Sequence, residues 1–187
     1  MIIVGIDEVG RGCWAGPVVA GAVILQEPIR GLKDSKLLSK KQRERLAREI
    51  NLQAVATGLG WVDPATLDRV GLTEAVRLAM RQALQEISTD YDEVIIDGNL
   101  NFLTDNPKAR ALIKADATIP AVSAASIIAK VARDDYMARM AALFPDYGFE
   151  QHVGYGTALH LEKLRLHGVS ELHRRSFKPI KSLWDFM

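Results

Sequence analysis

Gly5-Ile6-Asp7-Glu8-Val9-Gly10-Arg11-Gly12 sets two adjacent acids directly before a Gly-Arg-Gly turn. The carboxylates could bind a cation. Arg11, between two conformationally permissive glycines, could bring a guanidinium and backbone N–H groups close to a phosphate or sugar. The chemistry this suggests is metal-assisted attack on a nucleic-acid backbone. Two more acids stand in comparable places. Asp97 closes the apolar run Val94-Ile95-Ile96 before Gly98-Asn99, and Asp116 closes Ala111-Leu112-Ile113-Lys114-Ala115. Four carboxylates at one point repel one another and take up protons unless cations compensate. Hard oxygen ligands suit Mg²⁺ or Mn²⁺. Two such ions about 4 Å apart can activate a water and stabilise the leaving oxygen of an in-line displacement. Simpler alternatives stay open: Asp7 and Glu8 in a solvated turn, and Asp97-Gly98 as an ordinary turn pair.

The elements needed to position these acids can be read from the pattern. Residues 1–6 are apolar and β-branched, as in a strand buried on both faces. Strand side chains alternate, so Asp7 and Glu8 share a site only if the strand ends or distorts there. Gly10-Arg11-Gly12-Cys13-Trp14-Ala15 also fits a loose dinucleotide-binding pattern, but that pattern requires a helix next. Residues 16–25 read instead as a second strand. Residues 30–38 form a polar loop, Ser39 to Gln42 a capping box opening a helix to about Ile50, and residues 54–62 a third strand. Asp63-Pro64 suits a helix start. Leu72, Val76, Met80, Ala83, Leu84 and Ile87 form an apolar helical stripe that belongs in the core. If residues 93–97 lie parallel beside the first strand, Asp7 and Asp97 meet at the edge where open α/β sheets place ligands. An Ala-rich helix is expected over residues 121–143. Its polar stripe, Ser123, Ser126, Lys130 and Arg133, faces a ligand or, by default, solvent. A last helix is expected over residues 157–167.

At 187 residues the chain suits one domain, divided here into a core over 1–145 and a substrate-contacting helical segment over 146–187. No run reaches membrane-spanning length, no signal peptide is visible, and the single Cys13 excludes an internal disulfide. A reducing, cytoplasmic setting and a monomer are expected. Net charge is only +1, but it is unevenly spread. Residues 30–48 carry eight Lys/Arg against two acids, and residues 162–181 six against two. Separate basic patches suit a polyanion touching part of the surface, although solvated helix faces would read the same way.

Taken in order, these motifs resemble ribonuclease HII, the type 2 ribonuclease H family. They are residues 5–12, Asp34-Ser35-Lys36, Ile96-Asp97-Gly98-Asn99, residues 123–131, Gly154-Tyr155-Gly156-Thr157 and His173-Arg174-Arg175-Ser176-Phe177. The resemblance covers nearly the whole chain. It implies an α/β ribonuclease H-like fold: a mixed five-stranded sheet flanked by helices, with a helical C-terminal extension. It implies hydrolysis of the RNA strand of RNA–DNA hybrids, and incision 5′ of single ribonucleotides in duplex DNA to leave 3′-OH and 5′-phosphate ends. The family's metal-binding acids fall on Asp7, Glu8, Asp97 and Asp116. Gly10, Arg11 and Gly12 correspond to the element that senses the ribose 2′-OH, the group distinguishing RNA from DNA. Tyr155 corresponds to the aromatic that packs on the adjoining deoxyribose. Ser35, Lys36, Ser126 and Lys130 are expected backbone contacts. The family often has Pro where this chain has Cys13, Gly where it has Ala115, and Pro where it has Gly156. No additional N-terminal substrate-binding domain is seen, which favours type 2 over type 3. A non-catalytic hybrid-binding module and another nuclease of the same fold are the alternatives. A sliding clamp is a conceivable partner, but Phe177 and Phe186 do not make a clear clamp-binding peptide.

Overall fold

The computed structural model describes residues 1–33 and 35–184, with the backbone alone at Lys36 and Trp184. Asp34, Phe186 and the Lys36 side chain, all named above, lie outside the described residues. One mixed sheet has the order β3-β2-β1-β4-β5. Its strands are β1 Ile3–Val9, β2 Val18–Ile24, β3 Ala56–Val62, β4 Glu93–Asp97 and β5 Ala109–Leu112. β1 pairs antiparallel with β2 and β2 with β3, whereas β4 is parallel to β1 and β5 to β4. The helices are α1 Lys40–Gln53, α2 Pro64–Val70, α3 Leu72–Gln85, α4 Ala115–Thr118, α5 Pro120–Leu143, α6 Phe149–His152, α7 Ala158–His167 and α8 Lys178–Trp184. The expected five-stranded sheet with flanking helices and a helical C-terminal part is therefore present.

Local signals account for most boundaries. Ser39 accepts from the Gln42 N–H and Gln42 answers at the Ser39 N–H, completing the capping box of α1. Asp63 caps α2 with Pro64 in the first turn. Every residue of β2 is buried, so its alternating side chains fill two cores. Val18, Ala20, Ala22 and Ile24 pack with Val76, Met80 and Ala83 of α3. Val23 packs with Leu46 and Ile50 of α1 and Ala124, Ile127 and Ile128 of α5.

Helix α5 lies against the sheet through glycines. A Cβ on Gly5 would stand 2.2 Å from the Ala121 carbonyl carbon, and one on Gly21 2.5 Å from the Ala125 oxygen. Real side chains never approach backbone so closely, so only glycine permits this separation between helix and sheet. A third cluster ties residues 147–180 to the rest. Tyr147, Phe149, Leu164, Leu172 and Ile180 pack on Ala15 and on Met137 of α5.

Three expectations need correction. First, β1 does not end at the acids. Its pairing with β2 continues through Asp7↔Gly21 and Glu8↔Ala20 to Val9↔Val19, so ladder hydrogen bonds carry the strand past them. Second, Asp116 is not at a strand end. β5 stops at Leu112, Lys114 turns into the left-handed region (φ 58°, ψ 35°), and Asp116 enters the first turn of α4. Third, the polar stripe of α5 does not face solvent. Ser123, Ser126 and Arg133 are buried and Lys130 is mostly covered; Ser126 meets Ser35, and Arg133 meets carbonyls of the loops after β1 and after α6.

Gly5→Ala should destabilise the fold by roughly 2–3 kcal/mol, the range of overpacked cores, because the obstructing atoms are backbone. Chemical denaturation at constant m-value is the measurement. An unchanged midpoint would mean that α5 can retreat freely from β1.

Candidate active site

The register of β1 and β4 places Ile6 beside Ile96, so Asp7 and Asp97 follow at the same carboxyl edge of the parallel pair. Beside them a pocket of about 280 Å³ is lined by Asp7, Glu8, Val9, Gly10, Arg11, Gly12, Ser35, Arg43, Asp97, Ser126, Lys130 and Tyr155. Ten of the twelve residues singled out in the sequence thus share one depression. Asp116 lines an adjoining groove with Asp97, Gly98, Asn99 and Lys114, and its N–H donates to Asp97 Oδ1 at 3.4 Å. The twelfth residue, Lys36, has no described side chain.

Asp7 and Glu8 reach the pocket from opposite faces of β1. Asp7 faces α5, where its carboxylate accepts the Glu8 N–H at 2.8 Å. Ser126 beside it pairs with Ser35 at 3.0 Å between hydroxyl oxygens. Glu8 is held by Arg11, whose Nη1 donates to Oε1 at 3.0 Å. Burial, reinforced by the neighbouring Glu8 charge, pushes the Asp7 carboxyl up to about 8; the Ser126 hydroxyl opposes this and Asp97 adds to it. Burial also raises Glu8, with Arg11 pulling the other way.

This donor set fits a hard divalent cation. All four side chains offer oxygen, and Glu8 Oε2 is buried without a hydrogen-bond partner among the described residues. Among the described residues no three His, Cys, Asp or Glu side chains are drawn together as a ready-made metal group. Carboxylates repel, and bringing these onto one point requires positive charge between them.

The rim carries that charge partly in side chains. Lys130 Nζ contacts Asp134 Oδ1 at 2.8 Å and lies 5.5 Å from the centre of the Tyr155 ring. Arg43 donates to the Ser35 carbonyl at 3.1 Å. The sequence marks Arg43 only as part of a basic patch; nothing in its spacing separates a pocket-facing arginine from its solvated neighbours on α1. Arg133 and Arg174 were also missed as structural groups. Arg133 donates to the carbonyls of Pro17, Val153 and Ala15 at 2.9, 2.9 and 3.0 Å. Arg174 donates to Gly16 O from Nε and Nη2 and to Arg11 O from Nη1 at 3.0 Å. The only available signal for Arg174 was its place in the His-Arg-Arg-Ser-Phe motif.

The model of the family described as ribonuclease HII matches residues 4–180. The chain belongs to the ribonuclease HII family. It is accordingly an endoribonuclease of the class that cleaves the RNA of RNA–DNA hybrids. Ribonuclease HII of Bacillus cereus is 48% identical over 183 residues, covering 97% of this chain and 70% of the relative. That of Marinomonas sp. is 47% identical over 186 residues, covering 98% and 94%. Among solved structures, the ribonuclease H2 from Pyrococcus horikoshii OT3 superposes with a TM-score of 0.84 at 26% identity, over 100% of this chain and 98% of that one. The ribonuclease HII from Archaeoglobus fulgidus, solved as a complex with PCNA, gives 0.78 at 28% identity, over 95% of each chain. Bst ribonuclease HIII, solved with Mn²⁺, shares the fold at 0.77 and 23% identity, over 100% of this chain and 70% of that one.

The raised Asp7 predicts a pH dependence. Its carboxyl holds a proton in the folded chain over a range where the unfolded chain has lost it, so its contribution to stability is full below about 4 and is lost as pH rises towards about 8. In the presence of EDTA, Asp7→Asn should therefore melt higher than the parent at pH 8 and lose that advantage towards pH 4. Divalent cation should narrow the gap at pH 8 by stabilising the parent alone. Parallel melting curves across this pH range would expose a failure of either trend.

Proposed function

We propose that this pocket incises duplex DNA on the 5′ side of a single embedded ribonucleotide, besides cutting longer hybrids, and leaves 3′-OH and 5′-phosphate ends. One observation carries the reading: three acids, the Gly10–Gly12 turn and Tyr155 line the same depression. Asp7, Glu8, Asp97 and Asp116 would hold two Mg²⁺ or Mn²⁺ ions, which supply Lewis acidity to lower the pKa of water and to stabilise a leaving oxygen. The chain's own groups do the rest. Glu8 anchors Arg11, so the guanidinium and the backbone N–H groups of Gly10 to Gly12 are aimed at a ribose 2′-OH. Tyr155, 39% exposed, offers its ring to the adjoining deoxyribose. Ser35, Ser126, Lys36 and Lys130 serve as contacts to the sugar–phosphate backbone, and Lys130 adds charge that favours a phosphate. Residues 146–187 act as the substrate-contacting part of the same domain.

We further propose a monomer that works in the cytoplasm. A sliding clamp is a candidate partner, supported by the PCNA complex of the Archaeoglobus relative.

A labelled duplex with one ribonucleotide, compared with a continuous RNA–DNA hybrid, tests the reading. Cleavage of the hybrid alone would refute junction recognition; cleavage of neither would favour a binding module. Asp97→Asn should lower kcat by at least about 100-fold on both substrates while melting like the parent, as expected for losing an electrostatic group of the reacting centre. Near-normal turnover would remove Asp97 from the cation site. Arg11→Ala should reduce incision at the lone ribonucleotide by roughly tenfold more than cleavage of the hybrid, the scale of one lost charged hydrogen bond. Equal losses would mean that Arg11 does not read the junction.

A further inference from the structure

Behind Tyr155 lies a group of buried histidines that the proposed chemistry does not use. His152, His160 and His173 are all buried. Among the described residues they do not make a metal group. Their partners fix every ring proton instead. The Ser170 N–H donates to His173 Nδ1 at 3.0 Å, so that nitrogen is an acceptor and the His173 proton sits on Nε2. His173 Nε2 lies 3.0 Å from His160 Nε2, which must therefore accept. The His160 proton is left on Nδ1, where it donates to the Tyr155 carbonyl at 2.9 Å. The resulting chain has one direction: Ser170 N–H to His173, His173 to His160, His160 to Tyr155. It is consistent only with neutral rings. Burial, aided by the other imidazoles, holds His160 down to about 4 and His173 to about 3. The third ring completes the clamp. His152 accepts the Gly154 N–H at Nδ1, donates from Nε2 to the Tyr147 carbonyl, and stacks on His160 with centroids 4.2 Å apart.

The same short motif also holds the other half of the junction reader. Arg174, next to His173, donates to the Arg11 carbonyl. Its own N–H donates to Trp14 O at 2.8 Å. One dipeptide thus addresses the Gly-Arg-Gly turn directly and the tyrosine through a relay of imidazoles.

We propose that His160 and His173 are positioning residues for substrate choice: their relay fixes the Tyr155 backbone relative to the Arg11 turn and so sets the spacing that matches a ribonucleotide–deoxyribonucleotide step. This rests on the reading that Tyr155 packs against the nucleotide beside the ribose. The relay touches neither the acids nor the reacting phosphate. Its loss should therefore weaken recognition of a lone ribonucleotide and spare chemistry on a continuous hybrid.

The test uses His160→Phe, which keeps a ring against His152 but removes the Nδ1–H donor. Its KM for the single-ribonucleotide duplex should rise, and its preference for that duplex over the hybrid should fall by roughly tenfold, the scale of a misplaced contact group. Its kcat on the hybrid should stay within about twofold of the parent, since the reacting groups keep their places. His160→Asn places an amide N–H near the same position and should recover most of the preference. His173→Asn keeps an acceptor for Ser170 but is too short to reach His160. It should reproduce the loss, and it carries the test if the phenylalanine variant does not fold. An unchanged preference in a folded variant, or equal loss on both substrates, overturns the positioning role. Tyr155→Ala is measured alongside. If it leaves the preference intact, the reading of Tyr155 fails and the proposal with it. If it abolishes the preference while the histidine variants do not, only the relay is refuted.

Discussion

Two buried guanidinium groups hold the region around the acids in shape. Arg133 and Arg174 have no exposed surface, and together they satisfy the carbonyls of Arg11, Ala15, Gly16, Pro17 and Val153. A loop that leaves a central strand beside a helix would otherwise bury these acceptors without partners, at about 1–3 kcal/mol each. Arginine suits the task because its donors are fixed in a plane and can address several carbonyls at once. Burial draws the Arg174 guanidinium down to about 10, still far above neutrality, so the charge persists where backbone dipoles receive it. The acids lie one turn away from these cations, yet Asp7 is still pushed upward. The guanidiniums are committed to carbonyls and do not neutralise the carboxylates.

That separation explains the economy of the site. One set of positive groups builds the frame, and a different positive charge is needed at the acids. An arginine placed directly against Asp7 would lower its pKa and stabilise the fold, but it would occupy the position of the proposed cation. The Glu8 oxygen without a partner among the described residues and the raised Asp7 are places where the fold leaves carboxylates uncompensated, as the proposed cation binding would require.

Much of this was legible in the residues. The strand pattern, the capping box at Ser39 and the apolar stripe of α3 followed from periodicity and local chemistry. The parallel pairing of β1 with β4 was only a conditional inference, and the register bears it out. Other features depend on partners distant in sequence. Asp7 and Glu8 looked like the end of a strand because acids seldom continue one. β2 keeps pairing past them, and hydrogen bonds from another strand leave no mark on an eight-residue window. Asp116 looked strand-terminal because an apolar run preceded it, whereas a left-handed Lys114 hands it to a helix; no residue type announces that turn when glycine is absent. The α5 stripe reads by default as facing water, since burying an arginine makes sense only once the carbonyls it faces are known, and burying Ser126 only once Ser35 and Asp7 stand beside it.

The contact between Arg174 and the Arg11 carbonyl joins residues 163 positions apart. Contacts of such separation form late, because the loop they close is long. During synthesis the acids of β1 emerge well before residue 174, so the Arg11 carbonyl lacks this donor until the later segment docks. A growing chain therefore carries its carboxylates beside an unfinished turn. Docking of that segment completes the hydrogen bonding of the Gly-Arg-Gly turn, so the surface beside the acids takes its final form only with the tertiary fold.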